Sequence, residues 1–159
     1  PVSVRRGNSG LGNKVSFTLT RLATDLADPA ARLRAVRDGM NYNKKRIQEL
    51  SPGQTQAYAA LMLLPGTANL VLGLSRDTTL GNVVISHVPG PREDMYWQGA
   101  KLAGIYPASL LTDGSTVNIT VISRHNDVDI GVIACRKSVP RVQRLLDHLE
   151  ASLAELEAC

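Results

Sequence analysis

A nearly continuous apolar run at residues 82–88 limits the folds open to this chain more than any other feature. The run reads Asn-Val-Val-Ile-Ser-His-Val, and the Pro-Gly-Pro sequence of residues 89–91 stops it. A short apolar run between turn residues is typical of an interior strand that is covered on both faces. The chain therefore needs other elements packed on a sheet, which predicts an α/β fold.

Alternation of apolar and polar residues predicts further strands. The period of two at residues 15–22 predicts one half-buried strand. The same period at residues 117–121 and 128–132, with turn residues between, predicts an antiparallel hairpin. Shorter strands are expected at residues 1–4 and 101–106.

Capping residues predict where the first helices begin. Asp28 followed by Pro29 is a helix start, with Asp as the N-cap and Pro at the first helical position, and this helix is expected to end near Leu50. Ser51 and Gln54 have the spacing of a capping box, which predicts a second helix directly afterwards.

Two further helices complete the predicted architecture. A short one is expected at residues 67–74, and a last one begins at Ser138 and Pro140. The last helix carries leucines at helical spacing on one side, a stripe that predicts a core-facing surface. We therefore expect a mixed α/β fold: one mixed β-sheet of about five or six strands with three or four helices packed on it.

Composition excludes several classes of protein. The formal net charge is only +4 and aromatic residues make up 4%, which does not fit a nucleic-acid binder with a basic, aromatic surface. Two cysteines indicate neither a disulfide framework nor a zinc site and suggest a reducing, cytosolic setting. The longest apolar stretch, residues 57–64, is much shorter than the roughly 20 residues that cross a bilayer.

The sequence carries no recognisable self-contained active site. It has no nucleophile elbow, phosphate-binding loop, dinucleotide fingerprint or metal-spaced set of histidines and cysteines. Of three histidines, His148 lies off the apolar stripe of the last helix and His125 lies in the predicted hairpin turn. His87 ends the buried strand, where sites of α/β proteins are built, although a structural hydrogen bond is the more common role there. We therefore predict no catalytic residue and no metal ligand in this chain.

Several motifs, by their order and spacing, together resemble the bacterial wax ester synthase/diacylglycerol acyltransferase family. The strongest is NVVISHVPGP at residues 82–91, which resembles the family's N-x-x-x-S-N-V-P-G-P. The others are Pro1–Arg5, Gly12-Asn13, Asp28-Pro29 with Arg32-Leu33, Gly99-Ala100, Tyr106-Pro107 with Ser109, Asp113-Gly114, Asn118–Thr120 and Asp129–Gly131. The resemblance spans essentially the whole chain and identifies residues 1–159 as the family's C-terminal lobe.

The resemblance implies one lobe of a two-lobed, CoA-dependent acyltransferase similar in fold to chloramphenicol acetyltransferase. Family members transfer a fatty acyl group from acyl-CoA to a long-chain alcohol or to diacylglycerol, forming wax esters or triacylglycerols. Their general base is a histidine of an H-H-x-x-x-D-G motif in the N-terminal lobe. This chain has no adjacent pair of histidines, so that lobe is expected to be a missing partner and the chain alone to be inactive. Acyl-CoA is expected as a substrate, with no permanently bound cofactor.

Polar groups at strand ends are the candidates for substrate contacts. They are Asn13, Ser86, His87, Asn118 and Thr120. Each also has a structural interpretation, since most strand-end polar groups satisfy the backbone. His87 replaces an asparagine that is usual in the family, and a contact with the acceptor there would add a titratable group.

Two other functions compete with this interpretation. In the first, the chain is a non-catalytic interaction lobe. In the second, it is a lobe of a related acetyltransferase or condensation domain. An H-H-x-x-x-D-G motif in a preceding lobe would favour the acyltransferase over both. Because the implied substrates are lipids, we expect a cytoplasmic protein with peripheral contact to a membrane or lipid-droplet surface, and no contact with nucleic acid.

Overall fold

The computed structural model describes residues 2–3, 15–51, 53–61, 64, 83–111 and 115–159. The chain divides into two compact units, residues 1–65 with 141–159 and residues 66–140. The strands are β1 Val2–Ser3, β2 Val15–Ser16, β3 Val83–Pro89, β4 Tyr96–Trp97, β5 Ala100–Lys101, β6 Val117–Arg124 and β7 Asp127–Ala134. The helices are α1 Pro29–Glu49, α2 at residues 53–61 and α3 Arg144–Glu157.

Helix α1 of the first unit begins and ends as the sequence predicts. The Asp28 carboxylate accepts hydrogen bonds from the amides of Ala30 at 3.2 Å and Ala31 at 3.0 Å, and Pro29 occupies the first turn, where no donor is lost. The backbone turns extended at Leu50, directly after Glu49. Local capping chemistry therefore sets the start of this helix.

The predicted strand at residues 15–22 is shorter than expected, because only Val15–Ser16 pairs, with β1. Beyond Ser16, a side chain of α1 makes hydrogen bonds to this segment, and no strand pairs with it among the described residues. Asn43 Nδ2 donates to the carbonyl of Leu19 at 2.8 Å and to Thr20 Oγ1 at 3.1 Å. The segment after β2 is therefore anchored to the helix by side-chain bonds.

The capping box before α2 is confirmed. The amide of Ser51 donates to Gln54 Oε1 at 2.9 Å, and the amide of Gln54 donates to Ser51 Oγ at 3.4 Å. The short helix predicted at residues 67–74 lies outside the described residues.

Helix α3 begins at Arg144, later than the predicted start at Ser138 and Pro140. The backbone before it makes tight turns, in which Arg144 donates to the carbonyl of Arg141 at 3.1 Å and Leu145 to that of Val142 at 2.9 Å. Bonds of this span belong to turns, so the α-helical pattern starts only after them. No residue of α3 is fully buried, and its apolar stripe is therefore only partly covered.

The second unit contains a three-stranded mixed sheet in the order β3-β6-β7. Strand β3 runs parallel to β6, and β6 and β7 form the predicted antiparallel hairpin. Strand β3 was expected in a sheet interior, but among the described residues it lies at an edge, with Ile85 47% and Val88 46% exposed. An apolar run shows which residues favour burial and does not specify what covers them.

The predicted strand at residues 101–106 is wrong beyond Lys101. Ala100 and Lys101 pair with Tyr96 and Trp97 as the two-residue hairpin β4–β5, and residues 102–111 have no regular structure. Side chains of the β6–β7 hairpin bind this segment's backbone instead, so it needs no partner strand.

The α/β class and the mixed sheet are confirmed, but the strand arrangement differs from the prediction. The strands of the described residues fall into one three-stranded and two two-stranded sheets, whereas a single sheet was expected.

The Pro-Gly-Pro segment closes the end of β3 against β6. The amide of Gly90 donates to the carbonyl of Ser123 at 2.8 Å. A Cβ at position 90 would lie 2.9 Å from that same oxygen, so the close approach requires glycine.

Candidate substrate-binding face

Three of the predicted site residues lie on one face of the three-stranded sheet. The parallel register places Ser86 beside Thr120 and Val84 beside Asn118. Residues that pair in a sheet point to the same side, and residues two apart along a strand share a face. Ser86, Asn118 and Thr120 therefore form one polar cluster, which we call the polar face.

Two members of the polar face are buried. Asn118 is 7% exposed and Thr120 is 8% exposed, whereas Ser86 on the edge strand is half-buried. The hydroxyl of Thr120 donates to Asn118 Oδ1 at 3.1 Å. This bond directs the amide nitrogen Nδ2 away from Thr120, and Nδ2 has no hydrogen-bond partner among the residues that the structure describes. A buried donor left without a partner costs about 1–3 kcal/mol, so it requires an explanation.

His87 lies on the opposite face from Ser86, because neighbouring residues of a strand point to opposite sides. Its Nε2 lies 2.9 Å from Ser123 Oγ, at the end of β6. The same face carries apolar residues of all three strands, among them Ile85, Val121 and Ile130. The structure does not bring His87 together with the polar face, and its contact with an acceptor stays a prediction.

An irregular segment, residues 102–111, crosses the polar face beside Thr120. Gly131 of β7 pairs with Thr120, and a Cβ on Gly131 would collide with the carbonyl oxygen of Pro107. The absence of a side chain at Gly131 therefore lets the segment approach the sheet.

An ion pair on the same side anchors that segment. Arg124 Nε lies 2.5 Å from Asp129 Oδ2, and Arg124 Nη2 donates to the carbonyl of Ala103 at 3.1 Å. The amide of Ile105 donates to Asp129 Oδ2 at 3.0 Å. The hydrogen bond from Arg124, helped by that from Ile105, lowers the pKa of Asp129 below its ordinary value.

Sequence reasoning did not identify the pair of Arg124 and Asp129. The sequence feature that could have revealed this pair is the two-residue turn at residues 125–126. Such a turn places Arg124 opposite Asp127 and diagonally across from Asp129.

The other predicted features give no catalytic centre in the part of the chain that the structure describes. Asn13 lies outside it. His125 Nδ1 lies 3.0 Å from the carbonyl oxygen of Arg92, and His148 is exposed on α3. Within the same residues, no cluster of three or more His, Cys, Asp or Glu side chains has the geometry to hold a metal ion. None of the helices described is both long and apolar enough to span a bilayer.

The first unit contains a cavity of about 430 Å³ between α1 and the segment after β2. Its lining is mainly apolar and includes Leu19, Leu26 and Ala35, with Asn43 at its polar side. None of the predicted site residues lines it.

Comparison with protein families gives one match along nearly the whole chain. Residues 11–157 match the family model described as the WS/DGAT C-terminal domain. The O-acyltransferase WSD of Acinetobacter baylyi is 40% identical over 99% of this chain and 34% of its own length. A protein of Mycobacterium tuberculosis (strain H37Rv), provisionally named as a diacylglycerol O-acyltransferase, is 46% identical over 99% of this chain and 36% of its own length.

A solved structure of a protein with the same family name is also similar to this chain. The wax ester synthase/diacylglycerol acyltransferase from Marinobacter aquaeolei VT8 is 43% identical, with a TM-score of 0.78 over 86% of this chain and 33% of that structure. The chain thus spans about a third of the length of the relatives it matches.

Proposed function

Since this chain belongs to the wax ester synthase/diacylglycerol acyltransferase family, as its C-terminal domain, we propose that it is one lobe of an O-acyltransferase. The complete enzyme would transfer a fatty acyl group from acyl-CoA to a long-chain alcohol or to diacylglycerol, and release a wax ester or a triacylglycerol. The observation that carries this proposal is the match along nearly the whole chain to relatives with O-acyltransferase names.

The polar face is the part of this lobe that we assign to substrate. It presents a hydroxyl at Ser86, a hydroxyl at Thr120 and an amide at Asn118. Apolar side chains surround these groups on the same face, with Val84 beside Asn118 and Ile122 beyond Thr120. Such a surface suits a ligand that has one polar reacting group and long hydrocarbon chains.

The chemistry requires a base that this face does not contain. The acceptor hydroxyl loses its proton to the base while its oxygen forms a bond to the thioester carbonyl carbon. The carbonyl π electrons move onto the carbonyl oxygen, then return as the carbon–sulfur bond breaks. The proton passes from the base to the CoA sulfur, so that free thiol and ester leave. We assign the base to a histidine outside this chain, as the family resemblance implies.

The remaining partners follow from the same assignment. Acyl-CoA enters as a substrate, and no resident cofactor takes part in the steps above. The other lobe of the enzyme supplies the base, and the lipid substrates would be drawn from a membrane or lipid-droplet surface facing the cytoplasm. Exposed aromatic residues such as Trp97, 79% exposed, and Tyr106, 89% exposed, are suited to contact with the other lobe or with a lipid surface.

The test is an acyl-transfer assay with the complete gene product. Palmitoyl-CoA is offered with hexadecanol, with dipalmitoylglycerol or with chloramphenicol, and acetyl-CoA replaces palmitoyl-CoA in a parallel series. We expect ester formation from palmitoyl-CoA with at least one of the two lipid acceptors. Acetyl transfer without long-chain ester formation would instead indicate a related acetyltransferase, and no transfer at all would indicate an interaction lobe.

A further inference from the structure

The amide nitrogen of Asn118 lies in a buried side chain, and the described residues give it no hydrogen-bond acceptor. The side chain is 7% exposed, and its Oδ1 accepts the hydroxyl proton of Thr120 at 3.1 Å. With Oδ1 occupied in this way, Nδ2 carries two N–H donors that lack a partner within the described part of the chain. Buried polar groups of folded proteins are rarely left in this state unless a ligand or an ordered water completes them.

The chemistry of Nδ2 limits what can bind there. An amide nitrogen donates and does not accept, so the bound atom must be an acceptor. Among the groups of the proposed reaction, the thioester carbonyl oxygen is an acceptor only, and it gains negative charge as the acceptor oxygen attacks. The alcohol oxygen can also accept, but a hydrogen bond from Nδ2 would draw electron density from the oxygen that has to attack, so it fits this position less well.

We propose that Asn118 is a catalytic residue whose Nδ2 donates a hydrogen bond to the carbonyl oxygen of the acyl donor, an inference that rests on the proposed function. As the new carbon–oxygen bond forms, the π electrons of the carbonyl move to this oxygen, and the bond to Nδ2 strengthens. When the carbon–sulfur bond breaks, the electrons return and the oxygen becomes the carbonyl of the ester. No proton leaves Asn118 at any step.

Thr120 is the positioning residue of this arrangement. Its hydroxyl donates to Oδ1, and in this orientation Nδ2 is left for the ligand. An amide rotated by half a turn would offer Oδ1 to the carbonyl oxygen and repel it. Gly131, which pairs with Thr120 on β7, and Ser86, which pairs with it on β3, flank the hydroxyl on the same face. Ser86 is half-buried on the edge strand, so the polar face is not sealed on that side.

Two CoA analogues separate a carbonyl contact from a general effect on folding. S-(2-oxoheptadecyl)-CoA keeps a carbonyl oxygen in the chain attached to sulfur, whereas the chain of S-hexadecyl-CoA has none. Binding of both is measured by calorimetry to the complete gene product and to its Asn118→Asp variant, which keeps the shape of the side chain and removes both donors. Asn126→Asp is the matched control, because it makes the same chemical change in the exposed hairpin turn.

We expect Asn118→Asp to bind the ketone analogue about tenfold more weakly and the thioether as tightly as wild type. In the assay with palmitoyl-CoA, kcat should fall about 100-fold with little change in KM. Thr120→Val should reproduce part of this loss and Thr120→Ser should restore it. If Asn118→Asp does not fold, Asn118→Ala is measured in the same way, with the same expectation.

Equal weakening of both analogues, or an unchanged kcat, would overturn the assignment of Asn118 and would indicate an amide that only holds an ordered water. That result, with wild-type transfer intact, leaves the proposed function standing. A wild-type protein that binds neither analogue and transfers no acyl group would overturn the proposed function and this inference together.

Discussion

Arg124 and Asp129 form an ion pair across the diagonal of the β6–β7 hairpin, with Nε of the arginine 2.5 Å from Oδ2 of the aspartate. The arginine side chain is 8% exposed and the aspartate side chain 18% exposed. The same two residues bind the backbone of Ala103 and Ile105. One pair therefore fixes both the hairpin and the irregular segment that crosses the polar face.

Asp129→Asn should lower the midpoint of thermal unfolding by several degrees. The change leaves the Arg124 cation in a mostly buried position without its closest counter-charge. Asp127→Asn is the matched control, since Asp127 is 66% exposed and lies 3.4 Å from Arg124. Calorimetric melting curves of both variants check this, and equal midpoints for the two variants would contradict it.

The same pair gives stability a defined pH dependence. The pKa of Asp129 is lowered in the folded state, mainly by the hydrogen bond from Arg124. A lowered folded-state pKa stabilises the protein fully above the unfolded carboxyl value of about 4 and loses this effect as pH falls through the folded value. The stability difference between wild type and Asp129→Asn should therefore be constant from pH 7 to pH 5 and shrink below pH 4. Urea unfolding of both proteins across this range measures the difference in unfolding free energy. A difference that grows toward acid pH would contradict the prediction.

Gly131→Ala should destabilise the protein by about 1–3 kcal/mol, the usual cost of forcing extra atoms into a packed site. A methyl group at this position would meet the carbonyl of Pro107 and push residues 102–111 away from the sheet. Gly53→Ala is the control, because a Cβ there meets no atom within 4 Å. Denaturant unfolding gives the unfolding free energies of both variants. An unchanged free energy for Gly131→Ala would contradict the prediction and show that residues 102–111 can move away from the sheet at no cost.

Asp28→Ala should cost about 1 kcal/mol, because it removes the side-chain cap of α1. Asp28→Asn keeps one accepting oxygen in place of two, and because asparagine is also a favoured N-cap residue it should retain most of the stability. Unfolding free energies of the two variants at pH 7 make the comparison. Equal losses would mean that the charge of Asp28, and not its hydrogen bonds, stabilises the helix.

If His87 contacts the acceptor, His87→Asn in the complete gene product should alter the pH dependence of acyl transfer, measured between pH 5 and pH 8. It replaces the imidazole that lies 2.9 Å from Ser123 Oγ with the residue usual in the family. Initial rates across this range, with alcohols of several lengths, test the effect. An unchanged pH profile with an unchanged acceptor range would rule out a contact between His87 and the acceptor.

Features that depend on neighbouring residues could be predicted from sequence. Asp28-Pro29 and the box of Ser51 and Gln54 set helix starts through bonds that span three residues or fewer, and the structure has both. The β6–β7 hairpin was also predictable, because its alternation and its turn lie in one continuous segment. The start of α3 was not, because Pro140 permits a turn as well as a helix.

Features that depend on distant pairing could not be predicted in the same way. Alternation alone separates Ser86 from His87, but only the parallel register of β3 with β6 places Ser86 beside Thr120. Likewise, the sequence marks Asn118 as polar, but it does not reveal that the residue is buried, with one end of its amide lacking a partner among the residues that the structure describes. Arg124 was overlooked because its partners include backbone atoms of residues 103 and 105, which no motif specifies.

The central claim is that this lobe forms one wall of a cleft whose base lies elsewhere in the enzyme. Its most direct test is the rate of palmitoyl transfer from palmitoyl-CoA to hexadecanol, measured with the 159-residue chain alone and with the complete gene product. We expect the isolated chain to form ester no faster than buffer and the complete protein to form it readily. Ester formation by the isolated chain would contradict the claim.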